Sequence, residues 1–309
     1  MTKYAGKRLL QLIPLLLGLT FLVFTLLYIA PGDPAQRKLT AQGIAVSEQV
    51  LEQTREEMGL NRPFLVRYGD WLLGVLQGDF GTSYKDGMPV LPKLMRGMGN
   101  TLTLAVSSLL LALAVSVPLG VLTAARRGRA IDHLVRLLTF VGNAMPNFLL
   151  SVLLMYFLCI RVNLFPVIAA GTAQGLFLPT LALAIPMSSR FIRQIRAEVL
   201  EELGKPYVAG ALARGVALRT VLVRDVLRKT LSGVFTIVGL SVGTLMGGSV
   251  VVETIFRWPG VGKLVMDAIT ARDFPVIQGF VLLMAVIYVV INLLTDLSYH
   301  ALDPRVELE

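Results

Sequence analysis

Six stretches of this chain run without Asp, Glu, Lys or Arg for at least the length a helix needs to cross a bilayer: Leu9 to Ala30, Thr101 to Ala125, Leu137 to Ile160, Val162 to Ser189, Leu231 to Val252 and Phe274 to Thr295. A hydrocarbon core about 30 Å thick takes roughly 20 apolar residues rising 1.5 Å each. The pattern therefore predicts an all-α, polytopic protein with six transmembrane helices. The fourth stretch is longer than it needs to be. Its first part, with Asn163, Pro166, Gly171, Thr172 and Gln174, reads as a loop, and the span proper begins near Gly175. The first stretch does not read as a signal peptide, because its apolar core is too long and no small-residue cleavage pattern follows it. Lys3, Lys7 and Arg8 before it read as a cytoplasmic anchor.

Composition agrees with the pattern. Of 309 residues, 55% are hydrophobic and 16% charged, with mean hydropathy +0.70, whereas soluble domains carry about 25% charged residues. A single cysteine, Cys159, excludes a disulfide framework or a thiolate zinc site, and two histidines, His133 and His300, leave little for a histidine metal centre. The formal charge of +9 raises nucleic acid as a partner. Its distribution removes that reading. Arg126, Arg127, Arg129 and Arg136 follow the second span, and residues 190–229 hold nine basic against four acidic residues. The loop after the third span has only Arg161, and residues 253–274 balance Arg257, Lys263 and Arg272 against Glu253, Asp267 and Asp273. Short Lys/Arg-rich loops stay in the cytoplasm. The expected topology has both termini cytoplasmic, and the excess charge is a topology signal.

The chain thus divides into residues 1–30 (N-terminus and first span), an extracytoplasmic segment 31–100, and a five-helix core 101–309 with a cytoplasmic loop 198–229. The extracytoplasmic segment has eight basic and eight acidic residues. It predicts a helix capped by Ser47 and stopped by Gly59, then a second apolar patch at Trp71, Leu72, Leu73 and Val75. It is either a small cap over the bundle or a lid that meets a delivery protein or the entering solute. In the cytoplasmic loop, Lys205-Pro206-Tyr207 breaks the preceding helix. Ala209, Gly210, Ala211, Ala213 and Gly215 follow with almost no side-chain bulk, then Arg219, Arg224, Arg228 and Lys229. A basic helix lying on lipid is one meaning. Small residues fitted into a groove of another protein are the other.

Within the spans, Gly239, Gly243 and Gly247 form one smooth face, for close helix packing, a pore lining, or both where two subunits meet. Asn143, Pro146, Asn147, Asn292 and Asp296 are the polar or helix-breaking residues that mark a bundle interior or an aqueous path. Each serves equally as a structural hydrogen bond or a solute contact. Arg190, Arg193 and Arg196 share one face at the cytoplasmic end of span four, where snorkelling suffices. No carboxylate, histidine or lysine sits mid-span for proton coupling, and no nucleophile–base pair points to an enzyme. Gly260-Val261-Gly262-Lys263 is not a phosphate loop: Arg257 stands where its first glycine belongs and Leu264 follows the lysine. Such a path needs an external motor. The rival is an autonomous carrier or channel, and a receptor or structural subunit is a further one.

The residues also carry a resemblance. Pro31-Gly32-Asp33-Pro34, Gly59-Leu60 with Pro63 and Tyr68, Asp79-Phe80-Gly81-Thr82-Ser83, Tyr207-Val208 with Ala211, Ala213 and Gly215, Glu253-Thr254-Ile255-Phe256 with Trp258-Pro259-Gly260-Val261-Gly262, Arg272-Asp273-Phe274-Pro275-Val276-Ile277-Gln278 and Leu302-Asp303-Pro304-Arg305 together resemble the permease subunits of ATP-binding-cassette importers, in the peptide/nickel branch. The resemblance spans nearly the whole chain. It implies a type I importer permease fold and a coupling helix over Tyr207 to Leu218, with Tyr207, Ala209, Gly210, Ala211, Ala213, Arg214, Gly215 and Arg219 meeting an ATPase. The general Glu-Ala-Ala opening of that pattern is here Ala209-Gly210-Ala211, with Gly215 retained, and Ser232-Gly233 stands near the usual proline. Implied partners are a second related permease, two cytoplasmic ATPases and an extracytoplasmic solute-binding protein. No cofactor or metal is implied for this chain, and ATP belongs to its partners. The branch handles di- and oligopeptides, glutathione-like peptides, nickel and metal–opine chelates. Leu39 to Gly43 and Gln53-Thr54-Arg55 with Tyr68 and Trp71 lean toward nickel and metallophore members.

Overall fold

A computed structural model describes residues 2–41, 46–168 and 172–302, with side chains left out at 2–12, 41, 232, 236, 240, 242, 244, 246, 248, 292 and 294–302. The chain folds as helices α1 (Thr2–Ile29), α2 (Pro34–Ala41), α3 (Glu48–Glu57), α4 (Phe64–Leu76), α5 (Val90–Ala125), α6 (Ala130–Ala144), α7 (Asn147–Leu154), α8 (Ala173–Leu203), α9 (Pro206–Ala213), α10 (Leu218–Val221), α11 (Leu227–Phe256), α12 (Val261–Ala271) and α13 (Phe274–Leu302). A wider π-type coil extends α7 over Met155–Arg161, and another joins α10 to α11 over Leu222–Val226. Among the described residues the β-structure is one bridge between Thr82 and Pro89.

Among the described residues, α5, α8 and the first 18 residues of α13 are each long and apolar enough to cross a membrane, and two bent pairs bring the number to five. The fifth predicted span falls within α11, a 30-residue helix. α8 is capped by Thr172, whose hydroxyl accepts from Gly175 N at 3.1 Å, and residues 162–168 are a loop as their composition requires.

Span three departs from the prediction of a single helix. α6 and the segment from Asn147 to Arg161 meet at 102°. Pro146 is the cause: it has no N–H to continue the ladder, and it forces Met145 into extended backbone (ψ 122°).

The helices gather into two compact units. The first comprises the first hundred residues with Pro259–Leu294, and the second Thr101–Trp258 with 295–302.

In the second unit α8 is the hub. It packs against α6, α7 and α11, and Phe191, Ile195 and Val199 are fully or almost fully buried. Glycines set the close approaches. A Cβ at Gly142 of α6 would collide with Ser189 Oγ, and one at Gly120 of α5 would fall 2.7 Å from Ile195 Cγ2. Gly142→Leu is therefore expected to push α6 off α8 and cut the amount of folded protein in the membrane severalfold, read as monodisperse yield from detergent extracts. An unchanged yield would mean that α6 has room to move.

An ion pair completes that contact. Asp132, in the first turn of α6, is 1% exposed and receives both Arg196 Nε (2.8 Å) and Nη2 (2.9 Å) from α8. It also accepts from Gly128 N at 2.9 Å. The Arg196 hydrogen bonds outweigh burial and hold the Asp132 carboxyl down at about 2. Arg196 is thus a structural ligand; snorkelling does not account for it.

In the first unit, three of the motifs singled out above converge. Asp273 is buried and accepts from Ser83 Oγ (2.5 Å) and Tyr84 N (2.9 Å). Lys93 Nζ links Ser83 Oγ (3.1 Å) to Asp86 (2.7 Å). Asp33 caps α2 through Ala35 N (2.9 Å) and pairs with Arg55 of α3 (2.7 Å). Ser47 caps α3 as predicted. The second apolar patch of the long loop is α4, which packs along α1. Phe64 and Tyr68 make edge contacts with Phe21 and Phe24, and Tyr68 Oη sits 3.0 Å from Thr20 Oγ1.

Candidate functional site: the segment between α8 and α11

Pro206 stands at the first position of α9, where a missing N–H costs nothing because no intrahelical acceptor exists there. Lys205 before it takes extended backbone (ψ 147°), which turns the chain out of α8. The helix closes through Arg214 N to Gly210 O (3.3 Å), Gly215 N to Leu212 O (2.9 Å) and Val216 N to Ala211 O (3.2 Å). The reversal is completed by Gly215 at φ +80°, the left-handed region where a Cβ costs about 1–2 kcal/mol.

A carboxylate knot fixes α9 against its neighbours. Glu202, 6% exposed at the end of α8, accepts from Lys205 Nζ, from Tyr207 Oη (2.9 Å) and from Lys229 Nζ of α11 (3.2 Å). Lys229 Nζ also lies 3.6 Å above the Tyr207 ring. Burial pushes Glu202 up, but the hydrogen bonds from Lys205, Tyr207 and Lys229 outweigh it and hold the carboxyl below the ordinary glutamate range. Burial, together with the bond to that carboxylate, pushes the Tyr207 phenol up to about 12. A single anion thus joins α8, α9 and α11.

The residues named from sequence divide into two sets. Tyr207 is half-buried in the knot, and Ala211 (8% exposed) faces inward beside Val208 (2%). These two hold the helix; they do not present a surface. Ala209, Ala213, Arg214, Gly215 and Arg219 are exposed, and Gly210 is half-buried. Sequence reasoning missed Leu212, Val216 and Leu218, which are 42%, 37% and 42% exposed. The segment is not free of bulk: it offers three apolar side chains set among small ones. The signal was present, since Val208 and Ala211 share the inner face of α9 and leave Leu212 on the outer one.

The intramembrane candidates are scattered. Asn143 and Pro146 are exposed and Asn147 half-buried at the α6–α7 bend, and among the described residues neither asparagine side chain makes a hydrogen bond. Gly243 and Gly247 have no heavy atom within 4 Å of a built Cβ, so at these two positions α11 makes no close packing contact among the described residues. The side chains of Asn292 and Asp296 lie outside the described residues, as do Asp303, Pro304, Arg305 and Gln42-Gly43.

Comparison with known proteins decides the family. Residues 116–308 match the family described as binding-protein-dependent transport system inner membrane component, and residues 1–105 match the N-terminal family of the same membrane components. The chain belongs to that family. It is 39% identical to the oligopeptide transport system permease protein AppB of Bacillus subtilis, over 99% of this chain and 100% of that protein. It is 35% identical to the metal-staphylopine import system permease protein CntB of Staphylococcus aureus (99% and 98%), and 37% identical to the glutathione transport system permease protein GsiC of Salmonella typhimurium (99% and 99%). In fold it resembles a chain of the MetNI methionine ABC transporter in inward-facing form, with TM-score 0.55 and 19% identity over 67% of this chain and 95% of that one. The permease is a transport component of the inner membrane, and its family implies an ATPase partner.

Proposed function

We propose that this permease and a second, related one frame a path for peptides or peptide-like metal chelates, worked by two cytoplasmic ATPases that dock on residues 206–219. A solute-binding protein delivers the cargo at the opposite face, and both termini are cytoplasmic. The chain itself binds no cofactor, and the ATP is hydrolysed by its partners. The solute class is supported by the relatives, whose names carry oligopeptide, glutathione and metal-staphylopine.

The observation that carries the docking assignment is the surface of α9. Leu212, Val216 and Leu218 stand exposed around small residues, while Glu202 ties the base of that surface to both α8 and α11. A partner that pushes on the surface moves two long helices at once. Nucleotide-driven closure of the ATPases then shifts the population between inward- and outward-open states, by as much as the two states differ in their binding.

Reconstitution tests this. Liposomes holding the two permeases without ATPases are expected to show no uptake of a peptide or metal chelate, and uptake is expected to appear when ATPases, ATP and binding protein are added. Flux through this chain alone would make it an autonomous carrier and overturn the proposal.

A further inference from the structure

The first unit contains a cavity of ≈ 240 Å³ where α1 ends, lined among others by Tyr28, Asp33, Arg55, Arg67, Phe274 and Gln278. The charges in it are unequally satisfied. Arg55 is neutralised by Asp33 (2.7 Å) and Glu52 (3.1 Å). Arg67 of α4 has no ion pair among the described residues. Its guanidinium donates to Leu60 O at 3.5 Å, sits 5.9 Å and 6.0 Å from the ring centres of Phe24 and Tyr28, and lies close enough to bond the Tyr84 hydroxyl. Gln278 is 9% exposed, and its amide has no hydrogen-bond partner among the described residues. The cavity therefore holds one guanidinium without a counter-charge of its own and, facing the same space, the Gln278 amide, which together suit an oxyanion.

The position of the cavity along span one follows from α1. Tyr68 of α4 bonds Thr20, nine residues before the helix end at Ile29, and the Arg67 guanidinium lies beside the rings of Phe24 and Tyr28, nearer that end. The end of an apolar span is where a headgroup would lie. Around it Leu65, Leu73 and Leu76 of α4 are 69%, 59% and 76% exposed, and Leu26 and Ile29 of α1 are 59% and 70% exposed. Such a run of exposed leucines is unfavourable in water and suits acyl chains.

We propose that this cavity binds the phosphate of an anionic phospholipid, with Arg67 and Gln278 as its ligands and the exposed leucines of α4 and α1 as the seat of its acyl chains. With the termini placed as above, this is a lipid of the outer leaflet. The site rests on that orientation for its leaflet but not for its existence.

The test uses the full-length permease in nanodiscs of phosphatidylethanolamine and phosphatidylglycerol at about 3:1, with lipids retained after detergent extraction counted by native mass spectrometry. The wild type is expected to retain phosphatidylglycerol in preference to phosphatidylethanolamine. Arg67→Gln is expected to lose that preference about tenfold, Gln278→Leu to lose part of it, and Arg67→Lys to recover most of it. Arg62→Gln, in the loop just before α4, 66% exposed and paired with Asp70, should change nothing. Monodisperse elution of each variant shows that it is folded. If inorganic phosphate added during extraction displaces the lipid and itself stays bound, the site is a free-phosphate site and the lipid assignment falls. Equal retention by wild type and Arg67→Gln, or an equal loss in Arg62→Gln, removes the site altogether. Accessibility labelling of the termini reports separately on the orientation.

Discussion

Gly215→Trp is expected to abolish uptake and to disconnect ATP hydrolysis from solute, while the chain stays folded in the membrane. Two properties of the position give this outcome. Gly215 sits at φ +80°, so any side chain there adds about 1–2 kcal/mol of backbone strain, a fraction of the about 5–15 kcal/mol that holds a typical fold. No heavy atom lies within 4 Å of a built Cβ. The Cβ of a tryptophan therefore meets no heavy atom of this chain among the described residues, and its indole adds bulk beside the exposed Leu212, Val216 and Leu218, where the proposed ATPase docks. Gly215→Ala separates the two effects, since it carries the strain without the bulk, and it should keep most of the uptake. The assay is ATP-dependent uptake by reconstituted complexes, together with co-purification of the ATPase. Undiminished uptake in Gly215→Trp would remove residues 206–219 from the ATPase interface. Equal inactivity of Gly215→Ala would assign the defect to local unfolding.

What sequence could and could not reveal follows from the range of each interaction. Helix ends are local, and they were legible: Ser47, Thr172 and Pro206 start their helices where residue type alone places them. The bend at Met145 was half legible. Pro146 was visible, but apolar length alone reads across it as one span, and only the pre-proline backbone of Met145 makes the 102° turn. The glycine face of α11 shows the range of such a signal: spacing by four gives a smooth face but not its neighbour. At Gly243 and Gly247 no neighbour lies within this chain among the described residues, and the tight approaches belong to Gly120 and Gly142 against α8. Reading residues 206–219 by their small side chains hid three exposed apolar ones, Leu212, Val216 and Leu218. The Glu202 knot and the Asp132–Arg196 pair were not legible at all. Their partners lie up to 64 residues apart, and nothing in a charge count says which arginine is a surface anchor and which one closes a helix contact. Both pairs belong to the unit that carries α9, so the stiffness of that segment is a tertiary property.

Asp132→Asn is expected to destabilise the permease by about 3 kcal/mol, the lower end of the 3–5 kcal/mol for breaking a buried pair, because Arg196 keeps 18% exposure. The substitution preserves shape and still accepts from Gly128 N, so the loss isolates the charge. The guanidinium left behind sits at the α6–α8 contact with Arg136 close to it (3.8 Å from Asp132), and two cations then face each other without an anion. The pH dependence distinguishes this from a packing defect. The folded carboxyl, at about 2, lies below the unfolded value near 3.9. Its contribution is therefore fully present above the unfolded value and is lost as pH falls through the folded one. The gap in melting temperature between wild type and Asp132→Asn in detergent should be constant from pH 8 to about 5, and it should narrow toward pH 2. Arg196→Gln added to Asp132→Asn should cost much less than the two single changes summed, since the second removes the charge the first left unpaired. A pH-independent gap, or strictly additive losses, would reduce Asp132–Arg196 to an incidental contact. α8 would then be held to α6 by side-chain packing, including the Gly142–Ser189 approach.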